Sequence, residues 1–315
     1  LRLPTAIPKP RRFSFRSPTS IRGASSAYYR YTIDATKGGW EIDGGKYYEN
    51  SGSLNFGTSS TTTPTSCIYV GTTANVATTH LKIASGTTTS WRMDIGYVTG
   101  ANAAVSISGS GTVANLGAVV VGYSGTGALT VSGGAQVSTG DSAAVVGNSV
   151  GSQGALTVTG SGTRFDVGNA LFLGQSGAGT VTISDNAAIV AAGCLINFMS
   201  SPTASGKVYL SNGGALITKM DTTTDYLDGY IAAGDLYVDG GSGYAQVTDK
   251  TSALITYGYY SYAGHESLYS LYNLDTSASY TFLVANSTVP EPATFAFIGG
   301  LGALGVGLLR RRGRK

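Results

Sequence analysis

Charge is what this sequence has least of. Only 12% of its 315 residues are Asp, Glu, Lys or Arg, about half the roughly 25% usual in globular chains. Histidine is nearly as scarce, with His80 and His265 alone. Neither has a recognisable partner nearby in sequence, so a catalytic triad or a metal site is unsupported. The only cysteines, Cys67 and Cys194, belong to no CxxC or Cys/His cluster, which removes the zinc and redox readings. No catalytic residue, cofactor or metal ligand set is expected, and the chain reads as non-enzymatic.

The charges that exist are unevenly placed. Residues 1–30 carry Arg2, Lys9, Arg11, Arg12, Arg16, Arg22 and Arg30 with no acid, and Arg310, Arg311, Arg312, Arg314 and Lys315 close the chain. Between 31 and 289 there are 8 Lys and Arg against 16 Asp and Glu, so the body is mildly acidic. That excludes a nucleic acid partner, which needs a basic face on the folded part. Basic ends on an acidic body look like targeting segments.

What the chain has in plenty is glycine, 46 residues, with Thr, Ser, Ala and Val supplying most of the rest. Such a mixture disfavours long helices and suits short strands joined by tight turns. Those strands recur. AVSIS at 104–108, ALTVS at 128–132, ALTVT at 155–159, TVTIS at 180–184 and KVYLS at 207–211 start 24, 27, 25 and 27 residues apart, and HLKIA at 80–84 extends the series. A second series runs in step: IYVG at 68–71, MDIG at 93–96, VVVG at 119–122, VVG at 145–147, LFLG at 171–174 and LIN at 195–197. A weaker third has Val113, Val137, Phe165, Ile189 and Leu216.

Within the first series apolar residues alternate, as in Leu129 and Val131 or Leu156 and Val158, so one face points inward. No single repeat can bury that face, whereas stacked repeats hide it in continuous columns. The expectation is an all-β fold: a single-stranded parallel β-helix, or solenoid, of about six coils of roughly 25 residues, with end caps. A β-sandwich is the rival, because short evenly spaced strands suit it too. Cys67 and Cys194 then lie five coils apart, about 24 Å at some 4.8 Å per coil, beyond disulfide reach. Both are expected to be buried free thiols. Asn197 stands where the second series otherwise ends in Gly, and an irregular corner is expected after it, around Met199 to Pro202.

The most specific stretch is the tail. Pro290-Glu291-Pro292 precedes seventeen uncharged residues, 293–309, and then the basic cluster Arg310, Arg311, Arg312, Arg314 and Lys315. Seventeen helical residues span about 26 Å, the short end of what crosses a bilayer. A transmembrane helix at 293–309 with a cytoplasmic C-terminus is the expectation. The tail resembles the PEP-CTERM sorting signal of Gram-negative bacteria with exopolysaccharide systems. That resemblance implies a partner, the exosortase, a membrane transpeptidase-like protease that recognises Pro290, Glu291 and Pro292. It makes the basic cluster a stop-transfer signal. It also implies an inner-membrane single-pass precursor, a final place on the outer surface or in the extracellular matrix, and extracellular polysaccharide as a candidate partner. The repeats at about 68–217 resemble those shared by autotransporter passengers and PEP-CTERM proteins, built on G-x-L-T-V-x-G and L-x-V-G. Members of the family carry a signal peptide, but residues 1–22 have no apolar core, so a leader encoded upstream of Leu1 is expected.

The resulting division is a disordered basic segment at 1–30, an N-terminal cap at 31–66, repeats at 67–217, a C-terminal cap at 218–286 ending in a strand at 280–284, and the sorting tail at 287–315. The function expected is that of an exported structural surface or matrix protein. A carbohydrate-binding or adhesive module is the alternative, using the cap tyrosines 257, 259, 260, 262, 269, 272 and 280. A polysaccharide lyase or hydrolase ranks lower, since residues 100–206 hold only Asp141, Arg164, Asp166 and Asp185 as charged groups. Arg164 and Asp166 share a strand face and are expected to be a solvated pair. Gly147–Gly151 fits GxSxG, but Ser124 and Ser176 occupy the same place in neighbouring repeats, so it reads as a turn. Asp221, Asp225, Asp228, Asp235 and Asp239 lack calcium-loop spacing. Asn286-Ser287-Thr288 matches a glycosylation sequon and reads as a polar spacer.

Overall fold

The computed structural model describes strands at 29–30, 40–42, 47–50 and 54–55, and residues 67–286 other than 76, 198–200, 202, 221–226, 240 and 242. The chain winds into a parallel β-solenoid of about six turns with three columns of strands. The second runs through Val113–Leu116 and Gln136–Ser138 and the third through Val119–Val121 and Ala144–Val146, while Arg164–Leu173 and Ala188–Ile196 each serve both. The first column stacks Thr79–Ile83, Asn102–Ser108, Thr126–Ser132, Gln153–Thr159, Ala178–Ser184, Ser205–Leu210 and Leu236–Asp239. Its register is the one the repeats dictate: His80, Ala104, Ala128, Ala155, Thr180 and Lys207 lie directly above one another. The third column is equally faithful, aligning Ile68, Met93, Val119, Ala144, Leu171 and Cys194.

The second column departs from expectation at one point. Val137, Phe165, Ile189 and Leu216 do align, but Val137 pairs with Ala114 and not with Val113. The corner leaving Ser108 is one residue longer than the corner leaving Ser132. Thr112 faces inward just before this strand, as Ala135 does after the shorter corner, and its hydroxyl donates to the Ser108 carbonyl at 2.8 Å. Ala114 is therefore buried and Val113 is not.

Every second residue of the first column faces the interior: Leu129 and Val131, Leu156 and Val158, Val181 and Ile183 are all fully buried. Burying each such side chain is worth about 1.5–3 kcal/mol, which no isolated coil could realise. The corners after the third column are what bring coils close enough to do this. Gly96, Gly122, Gly147 and Gly174 all have φ between 61° and 78°. A Cβ at Gly122 would also stand 2.4 Å from the Gln153 carbonyl oxygen of the next coil. Asn197 takes the same place with φ 54°, as the residue type most tolerant of left-handed backbone after glycine. Its side-chain oxygen accepts the Gly206 N–H, a bond glycine cannot make.

Towards the N-terminus the parallel ladders continue past Cys67 into residues 40–55: 40–42 pair with 68–70, 47–50 with 80–83, and 54–55 with 88–89. At the other end the pairing turns antiparallel. Tyr244–Val247 pairs with Leu236–Asp239, while Tyr280–Ala285 pairs with Ala215–Thr218 on one side and Ile255–Tyr260 on the other. The short helix Leu227–Ala233 buries Leu227 and Ile231 beside Ile196, Val208 and Leu236. Residues 255–286 also fold back over the outer face of the second column. Tyr269, Tyr272, Phe282 and Val284 form one apolar cluster with the outward side chains Ala188, Val190, Ala215 and Ile217. This is why strands in that column lose the alternation of their neighbours: both faces are covered.

Candidate functional site

The sorting residues Pro290, Glu291 and Pro292, the basic cluster Arg310 to Lys315 and the span 293–309 lie outside the described residues. Among the described residues no helix is long and apolar enough to cross a membrane. What the structure does show is how the chain is held just before the tail. Ala285 N–H donates to the Gly214 carbonyl at 3.0 Å, and Asn286 N–H to the Leu254 carbonyl at 2.9 Å. The Asn286 side chain is engaged as well, donating to the Ala253 carbonyl at 2.8 Å and accepting from the Thr256 hydroxyl at 2.7 Å. The sequon asparagine is thus a fastening of the fold, and Pro290 follows it by four residues.

Arg164 and Asp166 do form a pair, Nε to Oδ1 at 2.7 Å, and its acid is solvated as expected, with the Asp166 side chain 39% exposed. Arg164 is only 18% exposed, and its Nη1 also donates to the Tyr272 carbonyl at 2.9 Å and to the Asn273 carbonyl. For Arg164 the sequence expectation fails because residues over a hundred positions away lie against it. The guanidinium is spent on holding the cap.

The cap tyrosines divide. Tyr269, Tyr272 and Tyr280 are buried in the cluster over the second column and cannot stack sugar rings, whereas Tyr259 and Tyr262 are exposed. The Tyr272 hydroxyl donates to the Gly213 carbonyl at 2.8 Å, and that of Tyr269 lies 2.8 Å from the carbonyls of both Tyr260 and Ala278, between which its one proton is shared. His265 stacks on Tyr260 with ring centroids 4.2 Å apart. Ser149 of the GxSxG stretch meets Ser124 at 3.5 Å and receives Asn148 Nδ2 at 3.1 Å. It is one of a ladder of turn serines with no imidazole among its hydrogen-bond partners. Both cysteines are buried and neither is in a disulfide, and burial pushes the Cys67 thiol up, away from the reactive thiolate form.

Two side-chain groups escaped the sequence reading. On the outer face of the third column, Arg92 Nε donates to Asp94 Oδ1 at 2.7 Å, with the Asp94 side chain 3% exposed. Burial pushes the Asp94 carboxyl up, and Arg92 pulls it part of the way back. Arg92 also lies 5.3 Å from the Tyr123 ring centroid, and Tyr69, Tyr97 and Tyr123 follow one another at 4.6 and 5.2 Å. On the first column, Tyr209 and Tyr237 stack at 4.8 Å, Tyr244 meets Tyr209 edge-on at 5.1 Å, and Lys207 lies over the Tyr237 ring at 5.2 Å. The signal for both was available: Tyr follows the strand-end glycine at Gly96-Tyr97 and Gly122-Tyr123, and Lys207 and Tyr209 occupy consecutive outward positions of one strand. Neither group joins a nucleophile to a base. Among the described residues no three His, Cys, Asp or Glu side chains are placed to hold a metal ion.

The sequence matches the PEP-CTERM protein-sorting motif over residues 288–312, which covers the tail and not the repeats. No curated protein and no solved structure matches the chain. The motif is the recognition signal for exosortase processing, and it implies an exported protein destined for the cell surface.

Proposed function

We propose that this exported chain is a structural protein of the outer surface or extracellular matrix, a rigid rod without catalytic activity delivered by its tail. In this reading 293–309 spans the inner membrane, Arg310, Arg311, Arg312, Arg314 and Lys315 stay in the cytoplasm, and exosortase processes the precursor at Pro290-Glu291-Pro292. The observation that carries it is the sorting match beginning at residue 288, two residues after Asn286, where the described part of the body ends. In this reading so close a spacing in sequence keeps the tripeptide near the membrane face while the solenoid stays outside. The structural role is supported by a body whose regular features serve burial and stacking. Replacing Pro290-Glu291-Pro292 with three alanines, followed by cell fractionation, tests it. Retention in the inner membrane is expected, and unchanged surface delivery overturns the sorting role.

A carbohydrate-binding or adhesive role is the second reading, favoured by the Tyr209–Tyr237–Tyr244 rings with Lys207 beside them. Tyr244 is 45% exposed and offers an apolar ring face with a polar tip. A glycan array compares the full chain with Tyr244→Ala. Binding that the variant loses supports this reading, and silence towards all glycans removes it.

A further inference from the structure

The outer face of the first column carries a regular mesh of hydroxyl groups. Ser106, Thr130, Thr157 and Thr182 lie in one file, each directly above the last. Ser108, Ser132, Thr159 and Ser184 form a second file two residues along the same strands. All of these positions point outward and are partly exposed, and no register shift interrupts the four strands. Strand pairing sets the spacing within a file at about 4.8 Å, and two residues of extended chain set the files about 6.7 Å apart. The hydroxyls of the first file make no hydrogen bond to another described residue, so their donors and acceptors are turned to solvent. At the end of the second file the Thr159 and Ser184 hydroxyls meet at 2.7 Å, and both also reach the Asp185 carboxylate, at 2.8 and 3.0 Å, so one charge marks that corner of the mesh.

What the face omits narrows its ligand. From 102 to 184 no outward position of this column is charged or aromatic. Lys82 precedes Ser106 in the first file and Tyr209 follows Thr182, so the mesh has defined ends. A face whose one neighbouring charge is the Asp185 carboxylate does not draw anionic lipid or nucleic acid, and a ring-free face lacks the platform on which sugars stack. Its area is about 400 Å², from four coils at 4.8 Å and seven-residue strands. That is half of the roughly 800 Å² per partner that a stable protein interface needs, which excludes a second copy as occupant.

Ordered water fits. Two hydrogen bonds of about 2.75 Å meeting at a tetrahedral oxygen put second-neighbour oxygens about 4.5 Å apart. The hydroxyl files repeat at nearly that distance along a parallel ladder with no register shift, and the threonine methyls between them leave water few alternative partners. We infer that this face binds ice, holding first-layer water in positions the crystal lattice can incorporate. The occupant matches the face in being periodic, and the first file is free of charged side chains from Ser106 to Thr182. The site lies wholly within 102–184 and does not depend on how the chain is sorted.

The experiment is slow growth of polycrystalline ice in a dilute solution of the full chain, comparing protein concentration in ice and in the remaining liquid. Thr157→Lys and Thr130→Lys each set a charged chain in the mesh centre, at outward positions that leave the core intact. Circular dichroism confirms that each variant is folded. Severalfold enrichment of the unaltered chain in ice, falling at least tenfold in either folded variant, is expected, with Thr157→Ser retaining enrichment. Exclusion of the unaltered chain from ice, or equal enrichment of a folded lysine variant, overturns the inference. So does retention on insoluble cellulose in place of ice.

Discussion

The guanidinium of Arg164 donates to the backbone carbonyl of Tyr272 at 2.9 Å, joining residues 108 positions apart in the chain. One charged side chain on a solenoid strand thereby fixes the turn that follows the cap helix Glu266–Leu271. Because the same guanidinium is paired to Asp166, it arrives already oriented.

Removing it should loosen the cap before the solenoid. Arg164→Ala gives up charge-assisted hydrogen bonds, a part-buried one to the Tyr272 carbonyl and an exposed one to the Asn273 carbonyl, a loss of about 1–3 kcal/mol. Hydrogen exchange across 266–286 should quicken while exchange across 126–159 stays slow. Arg164→Lys should lie between, keeping the charge without the fork. Unchanged exchange in the cap would show that the apolar cluster alone holds it.

The corner glycines should be far less replaceable than the asparagine that substitutes for one. Gly122→Ala meets both a left-handed backbone and a carbonyl 2.4 Å from its new Cβ, costing about 1–3 kcal/mol or more. Asn197→Gly should cost only about 1 kcal/mol, as it loses the bond from Gly206 and a long, exposed one from Asn197 Nδ2 to Asp235 at 3.4 Å. Chemical denaturation of the two variants settles the order, and equal midpoints would contradict it.

At the N-terminal end the interior is imperfect. Thr88 sits in the file of Ala114 and Val137, fully buried, and its hydroxyl has no hydrogen-bond partner. Thr88→Val keeps the shape and removes the stranded polar group, so it should stabilise by about 1 kcal/mol. A lower melting temperature in the variant would mean that the hydroxyl is satisfied in solution.

Asp185 predicts an acid-side dependence. Hydrogen bonds from Thr159, Ser184 and Asn212 hold its carboxyl below the ordinary carboxylate value, which is about 3.9. A lowered folded pKa means the unfolded chain binds the proton more readily. The stabilisation is therefore complete above about pH 4 and disappears as pH falls through the folded value. Titration followed by carboxyl NMR should place Asp185 below its unfolded value, and Asp185→Asn should flatten this part of the acid limb. A titration at or above 3.9 would refute the assignment.

Much of the fold was legible in the chain because a solenoid is built from neighbours. The coil period, the inward files and the left-handed corners are each stated locally, by alternation within a strand and by glycine at its end. The spacing of AVSIS, ALTVS, ALTVT and TVTIS alone aligns Ala104, Ala128, Ala155 and Thr180, and the apolar run after Pro292 announces the sorting tail without any coordinates. Tertiary structure decided the rest. Val113 yielded its place to Ala114 because corner length, which periodicity averages over, sets the phase of the next strand. Tyr269, Tyr272 and Arg164 read as surface groups until residues 255–286 folded over the second column. Burial that depends on which distant segment lies on a face is written in no single stretch of sequence, and only the closed chain resolves it.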